Sequence, residues 1–154
     1  KANNLNVKTK MILAGRKVND DMHNHVSNKF LKILKKNYFD IKNKRVLLLG
    51  FAFKENCSDF RNTQVVKIYK NLKQNKINVD VYDPSVDSRK VFKEYGLKML
   101  KKVEKKYHGV MICVGHKIFK KKFNSSKINN FLIKKDVIFD LKWTLESNER
   151  ITTL

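Results

Sequence analysis

The chain has 154 residues, 42% of them hydrophobic, enough for one domain with a buried core and too many for a disordered tail. No apolar run approaches the roughly 18 residues of a membrane span, no secretory signal opens the chain, and a start at Lys1, inside what already reads as helix, suits a piece of a longer protein. The formal net charge of +21 would suit nucleic acid or an anionic membrane, but only five of the cations are Arg, against abundant scattered Lys and Asn, whereas a dedicated nucleic-acid surface favours Arg and stacking aromatics.

The first expected element is one long helix over about residues 5 to 36. Val18, Met22, Val26, Phe30 and Ile33 recur every three or four residues and so share a face. A helix of that length exceeds what a small domain can cover, so it is expected to pack against a further domain or a second subunit. After a polar connector, the apolar run Arg45-Val-Leu-Leu-Leu-Gly50 reads as a buried parallel strand. A loop over residues 51 to 61 leads to a helix expected at 62 to 75. A second strand at 79 to 82 is stopped by Pro84. A helix at 87 to 95, a short strand at 97 to 100 and a buried strand at 109 to 114 follow. Short helical pieces at 118 to 132 and a last strand at 137 to 140 complete the pattern. Strands alternating with helices predict an α/β fold: a Rossmann-like, mainly parallel sheet with helices on both faces, preceded by the long helix.

Ligands of such sheets bind beyond the carboxyl ends of the strands. The first strand is followed by Gly50-Phe-Ala-Phe-Lys54, not by the glycine triplet that lets a backbone approach a pyrophosphate. Lys54 and Arg61 offer charge from side chains instead, although a Lys and an Arg in a loop equally suit a solvated surface. Cys57 and Cys113 form no metal or disulfide pattern and fit a reducing cytoplasm. Cys113, within an apolar strand, reads as a core residue. His23 and His25 stand two apart on a helix, point to different sides and make no metal pair. His116 and Asp83 fall near strand ends, where orienting a loop and making a turn are the readings preferred over ligand contact.

Gly50-Phe-Ala-Phe-Lys-Glu-Asn-Cys-Ser-Asp-Phe-Arg-Asn-Thr63 resembles the G-x-x-F-K-x-x-x-x-D-x-R-x-[ST] block of the UDP-glucose/GDP-mannose dehydrogenase family. Upstream, Ala14-Gly-Arg-Lys-Val-Asn-Asp20 is similar to that family's Arg-x-x-Asn helix. Val81-Tyr-Asp-Pro84 and Val137-Ile-Phe-Asp-Leu-Lys142 resemble its second and last strand ends. The wording is most similar to the branch that oxidises UDP-N-acetylhexosamines for surface polysaccharides. The resemblance implies a C-terminal UDP-sugar-binding domain over residues 38 to 154, preceded through residue 37 by the end of a connecting and dimerisation helix. It implies that Phe53 and Lys54 contact the nucleotide sugar and that Lys142 contacts it from a late basic position. It implies that Arg61 reaches an NAD held mainly by another domain, with Asp59 orienting Arg61 or capping the next helix.

The family's Gly-Gly-x-Cys-x-Pro-Lys-Asp nucleophile motif and its Gly-x-Gly-x-x-Gly domain do not occur in these 154 residues. This piece alone is therefore expected to be inactive, with no catalytic and no metal-ligating residue of its own. Its expected partners are a UDP-sugar, the NAD-binding and central domains, and a second copy of the protein. A GDP-sugar remains open as substrate. Two other classes remain as alternatives: a basic nucleic-acid-binding module without enzyme activity, and a dimerisation piece built around the first helix.

Overall fold

A computed structural model of the chain describes residues 10–133, 137–145 and 151–154, with backbone alone for 10–20 and 125–126. The first helix, α1, spans Lys10–Asn37. The expected residues 5 to 9 of this helix, and the side chain of Val18, lie outside the described part. The following elements are β1 (Arg45–Leu49), α2 (Val65–Gln74), β2 (Asn78–Tyr82), α3 (Ser88–Tyr95) and β3 (Gly109–Ile112). Then come α4 (Lys117–Lys122), α5 (Ser125–Ile128), a 3-10 turn (Asn129–Phe131), β4 (Ile138–Asp140) and β5 (Ile151–Thr153).

The strands lie in the order β2-β1-β3-β4-β5, and every neighbouring pair is parallel. The aliphatic run in β1 explains its central place. Successive side chains of a strand point to opposite faces, so Val46 and Leu48 enter one core while Leu47 and Leu49 enter the other. The first core is closed by α1, α2 and α3 through Phe30, Leu34, Val65, Leu72 and Val91. The second is closed by α4 and α5 through Phe119, Phe123 and Ile128. Helices therefore cover both faces, as the alternation of strands and helices predicts.

Val26, Phe30, Leu31 and Leu34 are the residues that seat α1 on the sheet. Gly109 allows this approach, since a Cβ there would lie 3.0 Å from the Phe30 ring and 3.2 Å from Leu34. Among the described residues, no helix is long and apolar enough to cross a membrane.

Beyond shifts of one or two residues at element ends, three features differ from the sequence expectation. Helix α2 begins at Val65, later than 62, because Asn62 has φ 59° and Thr63 N–H closes a turn on Phe60 C=O at 3.2 Å. Left-handed backbone cannot continue into a right-handed helix. Residues 97 to 100 form no strand. Their bond to the sheet is Leu100 N–H to Val81 C=O at 2.8 Å. Leu97 belongs to one core and Leu100 packs against the other, so this segment carries the chain around the β2 edge. Strand β5, parallel to β4, was not expected at all.

Candidate functional site

After β1 the chain runs to β2 on one side, and β3 then returns on the other side of β1. Loops leaving β1 and β3 consequently diverge, and this is where open α/β sheets form a crevice. A cleft of about 640 Å³ lies there. Its walls are the loop after β1 (Ala52, Phe53, Lys54, Glu55), the start of α2 (Asn62 to Val65), and the ends of β3 and β4 (Cys113, Val114, Leu141, Lys142). Helix α1 closes the remaining side with Met22, His23 and Val26.

The loop after β1 is held by an internal carboxylate. Gly50 turns it at φ 93°, where a Cβ would lie 2.6 Å from Val114 Cβ, so only glycine fits. Phe51 N–H and Ala52 N–H then donate to Asp83 Oδ2 at 2.7 and 3.0 Å. Ser85 N–H donates to Asp83 Oδ1 at 2.8 Å, which makes the turn read from the sequence at Asp83-Pro84. His116, only 1% exposed, has Nε2 at 3.0 Å from Asp83 Oδ2. Its Nδ1 accepts from Asn56 N–H at 2.9 Å, which places the imidazole proton on Nε2, facing the carboxylate. Asn56 Oδ1 accepts from Lys117 N–H at 3.0 Å and ties the same loop to α4. His116 thus orients the loop, as expected from its position.

Phe51, Phe60 and Tyr95 pack their rings 5.9 to 6.4 Å apart beneath the loop. With its base fixed, Phe53 stands 61% exposed on the cleft wall and Lys54 projects beside it. Asp140, fully buried at the end of β4, does the equivalent work across the cleft. It accepts from Lys142 N–H at 3.0 Å and from Leu145 N–H at 2.8 Å, fixing the turn that presents Lys142. Neither lysine ammonium is in an ion pair among the described residues. Two free ammonium groups against Glu55 leave the cleft suited to an anion.

Phe53, Lys54 and Lys142, far apart in sequence, therefore meet in one cleft, whereas Arg61 lines a neighbouring hollow with Ser58, Asp87, Lys90 and Glu94. Asp59 holds Arg61 through Nε at 3.0 Å and Nη2 at 2.8 Å. These bonds to the guanidinium lower the Asp59 carboxyl to about 2. Asp59 is thus an orienting partner and not a cap of α2, which starts at Val65.

Burial pushes the Cys113 thiol up, with nearby Lys142 opposing, so Cys113 is no activated nucleophile. Among the described residues no cluster of His, Cys, Asp and Glu could hold a metal. The buried acid Asp140 is the functional support that sequence reading missed, whereas the turn made by Asp83 was expected. It ends β4, and a lone acid after an apolar run was the available signal.

Residues 47–147 match the UDP binding domain of the UDP-glucose/GDP-mannose dehydrogenase family. The chain is 39% identical over 140 residues to a UDP-N-acetyl-D-glucosamine 6-dehydrogenase of Salmonella typhi, covering 90% of this chain and 33% of that protein. It is 35% identical over 150 residues to an enzyme of the same name from Pseudomonas aeruginosa, covering 97% of this chain and 35% of the other. A solved structure of the UDP-N-acetyl-mannosamine dehydrogenase Cap5O from Staphylococcus aureus superposes with TM-score 0.73 at 26% identity, covering 94% of this chain and 32% of that one. The chain thus spans about a third of the length of each of these relatives.

Proposed function

The chain belongs to the UDP-glucose/GDP-mannose dehydrogenase family, as its UDP binding domain, and we propose that it holds the substrate of an NAD-dependent 6-dehydrogenase acting on a UDP-N-acetylhexosamine. The product is then the uronic acid, destined for surface polysaccharide. In this reading residues 38 to 154 form the substrate domain, and α1 is the end of a connecting helix that contributes to a homodimer. The protein works in the cytoplasm, where nucleotide sugars and NAD are found.

The observation that carries the proposal is the convergence of Phe53, Lys54 and Lys142 on one cleft at the strand ends. Lys54 and Lys142 bind the diphosphate from two loops by charge-assisted hydrogen bonds. Phe53 offers an exposed ring for an apolar or stacking contact with the ligand. Met22 and Val26 of α1 add apolar surface on the far side.

The residues of this domain do not fit NAD as its resident cofactor. In dinucleotide-binding sheets the backbone N–H groups of the first strand-to-helix turn receive the pyrophosphate. Here the corresponding N–H groups of Phe51 and Ala52 are taken by Asp83. Hydride-transfer chemistry therefore belongs to other parts of the enzyme, and Arg61, held outward by Asp59, is the group that would meet a cofactor presented from there.

Calorimetric titration of this chain with UDP and UDP-N-acetylglucosamine at moderate salt tests the proposal. Saturable binding, weakened about tenfold or more by Lys54→Ala as a charged hydrogen bond is lost, is the expected result. Preference for a particular duplex DNA or RNA, with no response to the UDP-sugar, would replace the proposal with the nucleic-acid module that the net charge alone suggests.

A further inference from the structure

The turn after β4 holds a residue in a conformation that its type disfavours. Trp143 has φ 51°, in the left-handed region. A non-glycine residue there is uncommon, and a bulky one is an outlier. Asn43, Asn56 and Asn62 also have positive φ, but asparagine is a side chain that tolerates it. Asp140 imposes the conformation from below. Its carboxylate accepts from Lys142 N–H at 3.0 Å and from Leu145 N–H at 2.8 Å, one on each side of Trp143.

Packing does not account for this strain, because Trp143 is 66% exposed. Strained residues persist where their surroundings over-determine them, and they gather at ligand clamps and active sites. Trp143 directly follows Lys142, a residue of the cleft wall. On the other lysine-bearing loop Phe53, 61% exposed, directly precedes Lys54. Each loop thus sets a solvent-facing ring beside an ammonium that makes no ion pair among the described residues. An ammonium suits a phosphate, and a flat exposed ring suits the face of a heterocyclic base. A nucleotide carries both groups.

We infer that Trp143 is the base-stacking residue for the nucleotide whose phosphates Lys54 and Lys142 hold. This inference rests on the substrate-domain reading and adds to it a contact one residue past the family-like segment that ends at Lys142. Consecutive Cα atoms lie about 3.8 Å apart, so two long neighbouring side chains can serve the phosphate and the base of one nucleotide. Stacking on an aromatic face discriminates little between bases. The contact therefore gives affinity for the nucleotide and leaves the choice of base to hydrogen bonds.

Trp143 is the only tryptophan of the chain, so its fluorescence reports on this position alone. Excited beyond the absorption of uracil, its emission should be quenched saturably by UDP, with the same midpoint that calorimetry gives. Pyrophosphate offers the charge without a base. It should bind through the same lysines and leave the emission in place.

Calorimetry of Trp143→Asn and Trp143→Phe with UDP and with pyrophosphate supplies a second readout. Asparagine tolerates the left-handed turn, so Trp143→Asn should unfold at an equal or higher urea concentration than wild type. It should nevertheless bind UDP at least about fivefold more weakly, the loss of one stacked base, with pyrophosphate unchanged. Trp143→Phe keeps a ring and should retain most of the UDP affinity. Equal losses on UDP and pyrophosphate in Trp143→Asn would overturn the base contact, since Trp143 would then act only by setting the turn of Lys142. Lys54-dependent UDP binding with unmoved emission and unchanged affinity in Trp143→Asn also overturns it, and leaves the substrate-domain reading standing. Absence of any saturable UDP binding removes both.

Discussion

Replacing Asp83 by Ala tests whether one buried carboxylate sets the loop that carries Phe53 and Lys54. The side chain accepts from Phe51 N–H, Ala52 N–H, Ser85 N–H and His116 at 2.7 to 3.0 Å. Alanine leaves four donors without that partner, three of the bonds being buried. At about 1 kcal/mol for each bond lost, and more where water cannot enter, the expected cost is about 4 kcal/mol. Against a typical stability of about 5–15 kcal/mol, that is a large share. Asp83→Asn keeps one oxygen for the three donors at Oδ2 but turns an amide NH₂ toward Ser85 N–H, so its cost is about 1–2 kcal/mol. Urea unfolding followed by far-UV circular dichroism measures both, since Trp143, 66% exposed, is a poor fluorescence probe of the core. A loss below about 1 kcal/mol for the alanine variant, or equal losses for the two, would refute the role given to the carboxylate.

Lys142→Ala should weaken UDP about tenfold in calorimetry while leaving the unfolding midpoint in place, because the side chain is exposed on the cleft wall. Gly50→Ala should destabilise the fold by about 2–4 kcal/mol in urea, the sum of left-handed strain and the close approach to Val114. His108 is held below the usual histidine range by burial, then by nearby Lys44, and its Nδ1 accepts from Arg45 N–H at 3.1 Å. The folded state thus prefers the neutral ring. Its contribution is present above the unfolded-state value near 6.5 and is lost as pH falls through the lower folded-state value. His108→Asn retains an acceptor without titrating, so its unfolding free energy should fall less between pH 7 and 5 than that of wild type.

Elements whose burial is decided locally were legible. The runs Val46 to Leu49 and Gly109 to Ile112 are covered on both faces, and an unbroken apolar stretch is the expected mark of such strands. Helix α3 was equally plain, with Asp87 accepting from Arg89 N–H at 2.9 Å at one end and Gly96 at φ 66° at the other. Strand β5 was not, because Ile151, Thr152 and Thr153 are half-buried at the sheet edge and too few to show alternation. The separate loop positions of Phe53, Lys54 and Lys142 were visible as motif matches, but their meeting in one cleft depends on β1 and β4 flanking β3. The Asp83 and His116 pairing links residues 33 apart in sequence, which no local pattern encodes. His23 stayed hidden for the same reason, since helical spacing gives its face but not what α1 lies against.

Because Met22, His23 and Val26 form one wall of the cleft, ligand affinity and the posture of α1 are thermodynamically linked. Whatever grips the outer turns of α1 and favours one tilt must raise or lower affinity by some factor, and bound ligand must return that same factor to the grip. The helix is thus a lever between the cleft and any neighbouring domain or subunit. Its fulcrum is the contact of Phe30 and Leu34 with Gly109, where the absence of a side chain lets the helix lie directly on the sheet.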